Sequence, residues 1–165
     1  MNPVTTSHPL DLLSDRDDTD SLWVFCFPHP LNDSEQATVQ ATVQDFLKTW
    51  NCHGAPVDGT FRLVDAQVAL LCGRSTDGIS GCSTDSAFRV FKQLRSLGLD
   101  ALDRSRLYLQ QEGRWRPWTR LDLVEAHRSG AISGDTPVLQ VSLAHVGELR
   151  AQGLSKPLQS FSFLA

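Results

Sequence analysis

The chain has 165 residues, 41% hydrophobic and 21% charged, a composition that suits one ordinary globular domain and excludes wholesale disorder. Its net charge of −4 sits entirely in residues 1–20, where five Asp face one Arg; residues 21–88 hold 3 basic and 7 acidic residues, and residues 89–165 hold 11 and 7. That mild basic excess falls short of a phosphate-neutralising patch, so nucleic acid is not an expected partner.

No apolar run approaches the ~18 residues of a membrane span, and no basic stretch with an apolar core opens the sequence. The expectation is a cytoplasmic protein without a membrane partner. Its four cysteines, Cys26, Cys52, Cys72 and Cys82, are then thiols.

Residues 1–20, with Pro3, Pro9 and the acidic cluster, read as a flexible leader. Leu22-Trp23-Val24-Phe25-Cys26-Phe27 is an apolar run ended by Pro28, which favours a buried strand. Asn32-Asp33-Ser34-Glu35 opens a helix, and Val39, Val43, Phe46, Leu47 and Trp50 fall on one face of it. Cys52-His53-Gly54 is expected to end that helix, with Gly54 as the left-handed cap.

Thr60–Val64 and Gln67–Cys72 are β-prone runs joined by a tight turn at Asp65-Ala66. After a polar loop over residues 73–81, a second helix is expected from Ser83 or Asp85 to about Leu97, with Ala87, Phe88, Phe91, Leu94 and Leu97 on its apolar face and Gly98 ending it. Leu107–Gln111 reads as a strand, and Glu112-Gly113 as a turn. The order strand, helix, strand, strand, helix, strand is that of an α+β, ferredoxin-like core: two helices on one face of a four-stranded antiparallel sheet. Residues 21–113 form that core, and residues 114–165 an appendage on the same domain. In the appendage Thr119-x-x-Asp122 opens a helix ending near Gly130, Val138–Val141 is a fifth strand, Ser142 caps a last helix ending near Gly153, and Phe161–Leu164 docks on the domain.

Gly81-Cys82-Ser83-Thr84-Asp85 stands where the glycine-containing loop becomes the second helix. Free amides and the positive end of the helix dipole stabilise an anion or a thiolate there. Gly81, Ser83, Thr84 and Asp85 are therefore candidate ligand-binding residues. Cys82 is a candidate nucleophile, with His53 as the base or thiolate stabiliser. The same residues also serve as an ordinary turn and cap, with Cys82 a small buried side chain and His53 an exposed residue at a helix end.

Cys52, His53, Cys72 and Cys82 match no zinc spacing, so no metal is expected, and no cofactor is implied. His8, His29, His127 and His145 are isolated. Arg114-Trp115-Arg116-Pro117-Trp118-Thr119-Arg120 interleaves Arg with Trp, and Arg114, Trp115 and Trp118 are candidate partner contacts or, equally, core-covering residues of a strand.

Trp50-x-x-His53-Gly54-Ala55, Ser80-Gly81-Cys82-Ser83-x-Asp85, Leu102-Asp103-Arg104 and Asp135-Thr136-x-Val138 together resemble a biochemically uncharacterised family of short bacterial proteins that carry the label "ABC transporter ATPase". The resemblance covers about residues 22–150. Thr84 stands where the family has Ile, and Leu139-Gln140 where it has Asn-Asn. A P-loop needs G-x-x-x-x-G-K-[ST]; the nearest match, Gly73 to Gly78, runs on into Ile79-Ser80 without a lysine, and the chain has no Gly-Lys pair. The residues thus point away from a P-loop ATPase. They point to a module that binds a small ligand, an anion or a protein at Gly81–Asp85, or alternatively to a cysteine-dependent enzyme or redox protein. The oligomeric state is not legible.

Overall fold

The computed structural model describes residues 11–74 and 81–164, with backbone alone at Leu12 and Gly81–Ser83. In chain order it has β1 (Ser21–Cys26), α1 (Asp33–Thr49), β2 (Asn51–Cys52), β3 (Ala55–Pro56), β4 (Asp58–Val64), β5 (Val68–Arg74) and α2 (Gly81–Ser96). There follow β6 (Arg106–Gln111), β7 (Arg114–Thr119), α3 (Arg120–Arg128), β8 (Pro137–Leu139), α4 (Val146–Gln152) and β9 (Ser155–Pro157). The fold is α+β with antiparallel sheets. Among the described residues no helix is long and apolar enough to cross a membrane.

The first sheet has the order β1-β5-β4. β5 is central and buries both faces of Val-Ala-Leu-Leu-Cys, as a continuous apolar run does when covered from two sides. Ala69 and Leu71 meet Phe25 of β1, Val39 and Val43 of α1, and Ala87, Phe91 and Leu94 of α2. Val68, Leu70 and Cys72 point the other way, with Leu22 and Val24, into a second core that includes Tyr108, Trp115, Val146 and Leu149. A third core gathers Leu109, Leu123, Val138 and Leu158 beyond the second sheet.

The three strands of the first sheet have the order and sense of a ferredoxin-like core, but the expected fourth strand does not join them. β6 pairs with β7 and β8 in a separate sheet of order β7-β6-β8-β9, stacked on the face that the helices leave open. Local chemistry accounts for this. Glu112 (φ 51°) and Gly113 (φ 75°) form a two-residue turn of the hairpin type, so β6 pairs first with its neighbour β7. The expected boundary at residue 113 therefore cuts a hairpin. The outer edge of β1 is met instead by residues 144 and 145, through Leu22 N donating to Ala144 O (2.9 Å) and a bridge between Ser21 and His145.

α1 begins as expected. Asn32 Oδ1 accepts from Glu35 N (2.8 Å), and Glu35 Oε2 accepts from Asn32 N (3.0 Å), a capping box worth about 1 kcal/mol. It ends differently. The helix stops at Thr49 with Trp50 extended, and Gly54 (φ 83°) with His53 (φ 52°) makes the turn of the small β2–β3 hairpin. Trp50 turns down at that point because its ring lies over Gly59 and Gly73, which are register partners. A Cβ on Gly73 would stand 2.7 Å from Trp50 Cη2, and one on Gly59 would stand 3.0 Å from Trp50 Cε3.

Residues 11–20, expected within a flexible leader, are packed, while residues 1–10 lie outside the described part. Leu13 is buried, and Arg16 and Asp20 are buried polar residues. Asp20 receives Arg74 Nε and Nη2 at 2.7 Å each, and Arg16 Nε stands 3.0 Å away. Arg16 also donates to Asp58 O (2.7 Å) and Thr60 Oγ1 (3.2 Å) on β4. Arg150 of α4 clasps the segment from outside, pairing with Asp18 (2.6 Å) and donating to Leu13 O (3.0 Å). Three members of the acidic cluster expected in a flexible leader, Asp17, Asp18 and Asp20, are thus paired with arginines distant in sequence, while Asp11 and Asp15 are exposed.

The appendage follows its sequence signals closely. Thr119 Oγ1 accepts from Asp122 N (3.1 Å) and caps α3. β8 (Pro137–Leu139) overlaps the expected strand Val138–Val141 at Val138 and Leu139, and Phe161, Phe163 and Leu164 pack against the third core. α4 ends before Gly153, but its cap position is His145 rather than Ser142.

Candidate functional site

α2 begins at Gly81, two to four residues earlier than expected. Gly81, Cys82, Ser83 and Thr84 therefore make up its first turn, where amides lack intrahelical partners. Asp85, exposed, is the fifth helical residue and so does not cap the helix. The side chains of Cys82 and Ser83 lie outside the described residues, and so does the expected Cys82–His53 pairing. His53 itself is exposed at the β2–β3 turn, and its ring makes no hydrogen bond among the described residues. β2 runs beside α2, so that turn belongs to the same side of the molecule as the helix.

Thr84, half-buried, lines a cavity of about 280 Å³ together with Trp23 of β1, Arg104, Leu143 and His145. Arg104 comes from the loop between α2 and β6. Its guanidinium lies 5.6 Å from the ring centre of Phe25 and 5.5 Å from that of Phe88, and the two rings meet edge to face at 5.5 Å. Each such stack holds the cation by about 0.5–2 kcal/mol and fixes its direction. The residue as a whole is exposed, yet burial of the guanidinium against the rings lowers its proton affinity; an arginine remains charged regardless.

Arg104 makes no hydrogen bond or ion pair among the described residues. Its neighbour Asp103 is committed elsewhere, accepting from Ser105 N (2.9 Å) and Ser105 Oγ (2.5 Å) and pairing with Arg106 (3.5 Å). Those Ser105 bonds, with Arg106, hold the Asp103 carboxyl below its ordinary range. His145 is oriented by Glu148, whose Oε1 lies 3.3 Å from its Nδ1. Glu148 is fixed in turn by accepting from Ala144 N (3.0 Å), which with His145 lowers its carboxyl. The cavity thus joins a ring-held cation without a counter-charge among the described residues, an imidazole, and Thr84 of the first turn of α2. That set suits an anion.

The other candidates fare differently. Trp115 is 4% exposed and belongs to the second core, so it is not available to a partner. Trp118 is half-buried against the third core, with its Nε1 donating to Gln111 Oε1 (2.9 Å). Arg114 is exposed, and Arg116 pairs with Glu112. The Arg/Trp alternation is that of a strand with one face in the core. Among the described residues no group of three His, Cys, Asp or Glu is placed to hold a metal ion.

Arg104 and His145 were not singled out from sequence. Arg104 stood only within the Leu102-Asp103-Arg104 element of the family resemblance, and no local signal separates a stacked arginine from a solvated one. His145 comes to the site through the bridge to Ser21, a contact across more than 120 residues. No protein-family model, no curated protein and no solved structure matches the chain.

Proposed function

We propose that the protein is a binding module for a small anion, held where the first turn of α2 meets Arg104. One observation carries this: Arg104 is stacked on two phenylalanines, has no carboxylate partner among the described residues, and shares a cavity with Thr84. Phosphate-sized oxyanions fit the chemistry, because a guanidinium fork and helix amides both donate to their oxygens. Calorimetric titration with inorganic phosphate tests the reading, with Arg104→Gln as the variant that loses binding.

A second reading rests on the same turn. The start of α2 at Gly81 puts Cys82 at the second helical position, where the helix dipole lowers a thiol pKa. Under that reading Cys82 is the nucleophile of a cysteine-dependent enzyme or redox protein, and His53 activates it. The buried thiols of Cys26 and Cys72 support a reducing, cytoplasmic setting. The three-stranded sheet under two helices supports kinship with ferredoxin-like cores. Membership of the bacterial group sharing the Gly81-Cys82-Ser83-x-Asp85 motif rests on the motif alone.

A further inference from the structure

Trp23 and Phe25 stand two residues apart on β1 and so face the same way, where both pack with the first core under the helices. Thr84 and Phe88 stand four residues apart on α2 and so share one helical face. The two rows meet rung by rung. On one rung Phe25 meets Phe88 edge to face at 5.5 Å, and Arg104 lies over both rings. On the next rung Trp23 stands across from Thr84, a side chain too short to fill the place that a ring fills below it. The space left is the cavity of about 280 Å³ that Trp23, Thr84 and Arg104 line together.

All three keep surface within reach of a ligand: Trp23 and Thr84 are half-buried and Arg104 is exposed. Val141, also half-buried, and Leu143 add apolar wall. Trp23 is held in place by Trp50, with 5.6 Å between the ring centres. A free oxyanion uses only the Arg104 end of this space and leaves the Trp23, Val141 and Leu143 surface uncovered. A ring placed against Trp23 repeats on the upper rung the aromatic pairing already present on the lower one. The volume lies at the low end for small-molecule sites, which suits one ring with its charged group and no larger molecule.

We infer that the ligand of this site is a small aromatic phosphate ester, its oxygens facing Arg104 and its ring lying against Trp23 beside Thr84. The inference rests on the anion site proposed above and adds the class of molecule that carries the anion.

Phenyl phosphate and inorganic phosphate are the probes, each titrated calorimetrically into the native protein, Trp23→Leu and Arg104→Gln. The native protein is expected to bind phenyl phosphate about tenfold more tightly than phosphate. That ratio falls toward one in Trp23→Leu, whereas Arg104→Gln weakens the binding of both probes. Should Trp23→Leu not fold, Thr84→Leu, which fills the gap from the helix side, is read by the same ratio. Equal native affinities for the two probes, or a preference that the variant leaves unaltered, overturn the inference while the anion site stands. Absence of binding by either probe removes the anion site, and the inference with it.

Discussion

Gln67 grips Trp115 by both of its backbone polar groups: Gln67 Oε1 accepts from Trp115 N at 3.0 Å, and Gln67 Nε2 donates to Trp115 O. The same Nε2 donates to Phe27 O at 2.9 Å. Gln67 is fully buried, and this one side chain fastens the first sheet to the second. It is placed by a bulge. Asp65 (φ 52°) and Ala66 (φ 55°) make a tight turn closed by Gln67 N donating to Val64 O, but the strand ladder starts only at Val64 and Val68. Gln67 is the extra residue, and bulges re-aim side chains in this way.

Gln67→Leu keeps the volume and removes the bonds, leaving Trp115 N and O unpaired. A loss of about 3 kcal/mol in urea unfolding is expected. A loss under about 1 kcal/mol would mean that the two sheets are held by apolar packing alone.

The buried Asp20 sets an acid limit on stability. Burial alone would raise its carboxyl, but the Arg74 hydrogen bonds, the Asp17 amide (3.0 Å) and the Arg16 charge together hold it below the ordinary value. The folded state therefore takes up this proton less readily than the unfolded chain. Its contribution is complete above the unfolded value of about 4 and is lost as pH falls toward the folded value. Asp20→Asn takes the buried carboxylate from Arg16, leaving it the exposed Asp58 at 3.3 Å, and is expected to cost about 3 kcal/mol at neutral pH. The variant's stability should also fall less steeply below about pH 4, as read by thermal melts across that range.

Gly73→Ala drives a Cβ to 2.7 Å from Trp50 Cη2. The indole is wedged between Phe46 and Trp23, so the clash is not relieved by rotation. A destabilisation of about 1–3 kcal/mol is expected, with a change in tryptophan fluorescence in the folded state. An unaltered spectrum and midpoint would show that the Trp50 ring is not seated on this glycine.

Burial pushes the Cys72 thiol up to about 12 and the Cys26 thiol higher still, and Cys52 is 1% exposed. These three should resist iodoacetamide until the protein unfolds. Any thiol alkylated in the native state is then Cys82. The pH dependence of that single reaction, in the native sequence and in His53→Ala, tests the nucleophile reading. A Cys82 titrating near its ordinary value in both would remove that reading.

The elements with strong local chemistry were legible from sequence: the buried β1 run, the Asn32 and Thr119 caps, and the two hairpin turns at Asp65-Ala66 and Glu112-Gly113. Contacts that cross the chain were not. The neutralisation of Asp20 depends on Arg16 packing against β4 and on Arg74 at the end of β5, so topology buries one member of an acidic cluster whose other members stay exposed. The β2–β3 hairpin was hidden because its strands are two residues each, too short for a period. The expected apolar face of α2 holds at Ala87, Phe91 and Leu94, but it omits the buried Val90 and includes Leu97, which lies past the end of the helix and is 57% exposed. Of the candidate site, the helix start was legible, but Arg104, which lines the same cavity as Thr84, lies 20 residues further along the chain, and its contact with the Phe25 and Phe88 rings leaves no local signal.

The most direct measurement is the phosphate titration of the native protein beside Arg104→Gln. Saturable binding in the native protein, weakened about tenfold or more in the variant, is the expected result. Equal binding by both, or none by the native protein, would contradict an anion site at the start of α2.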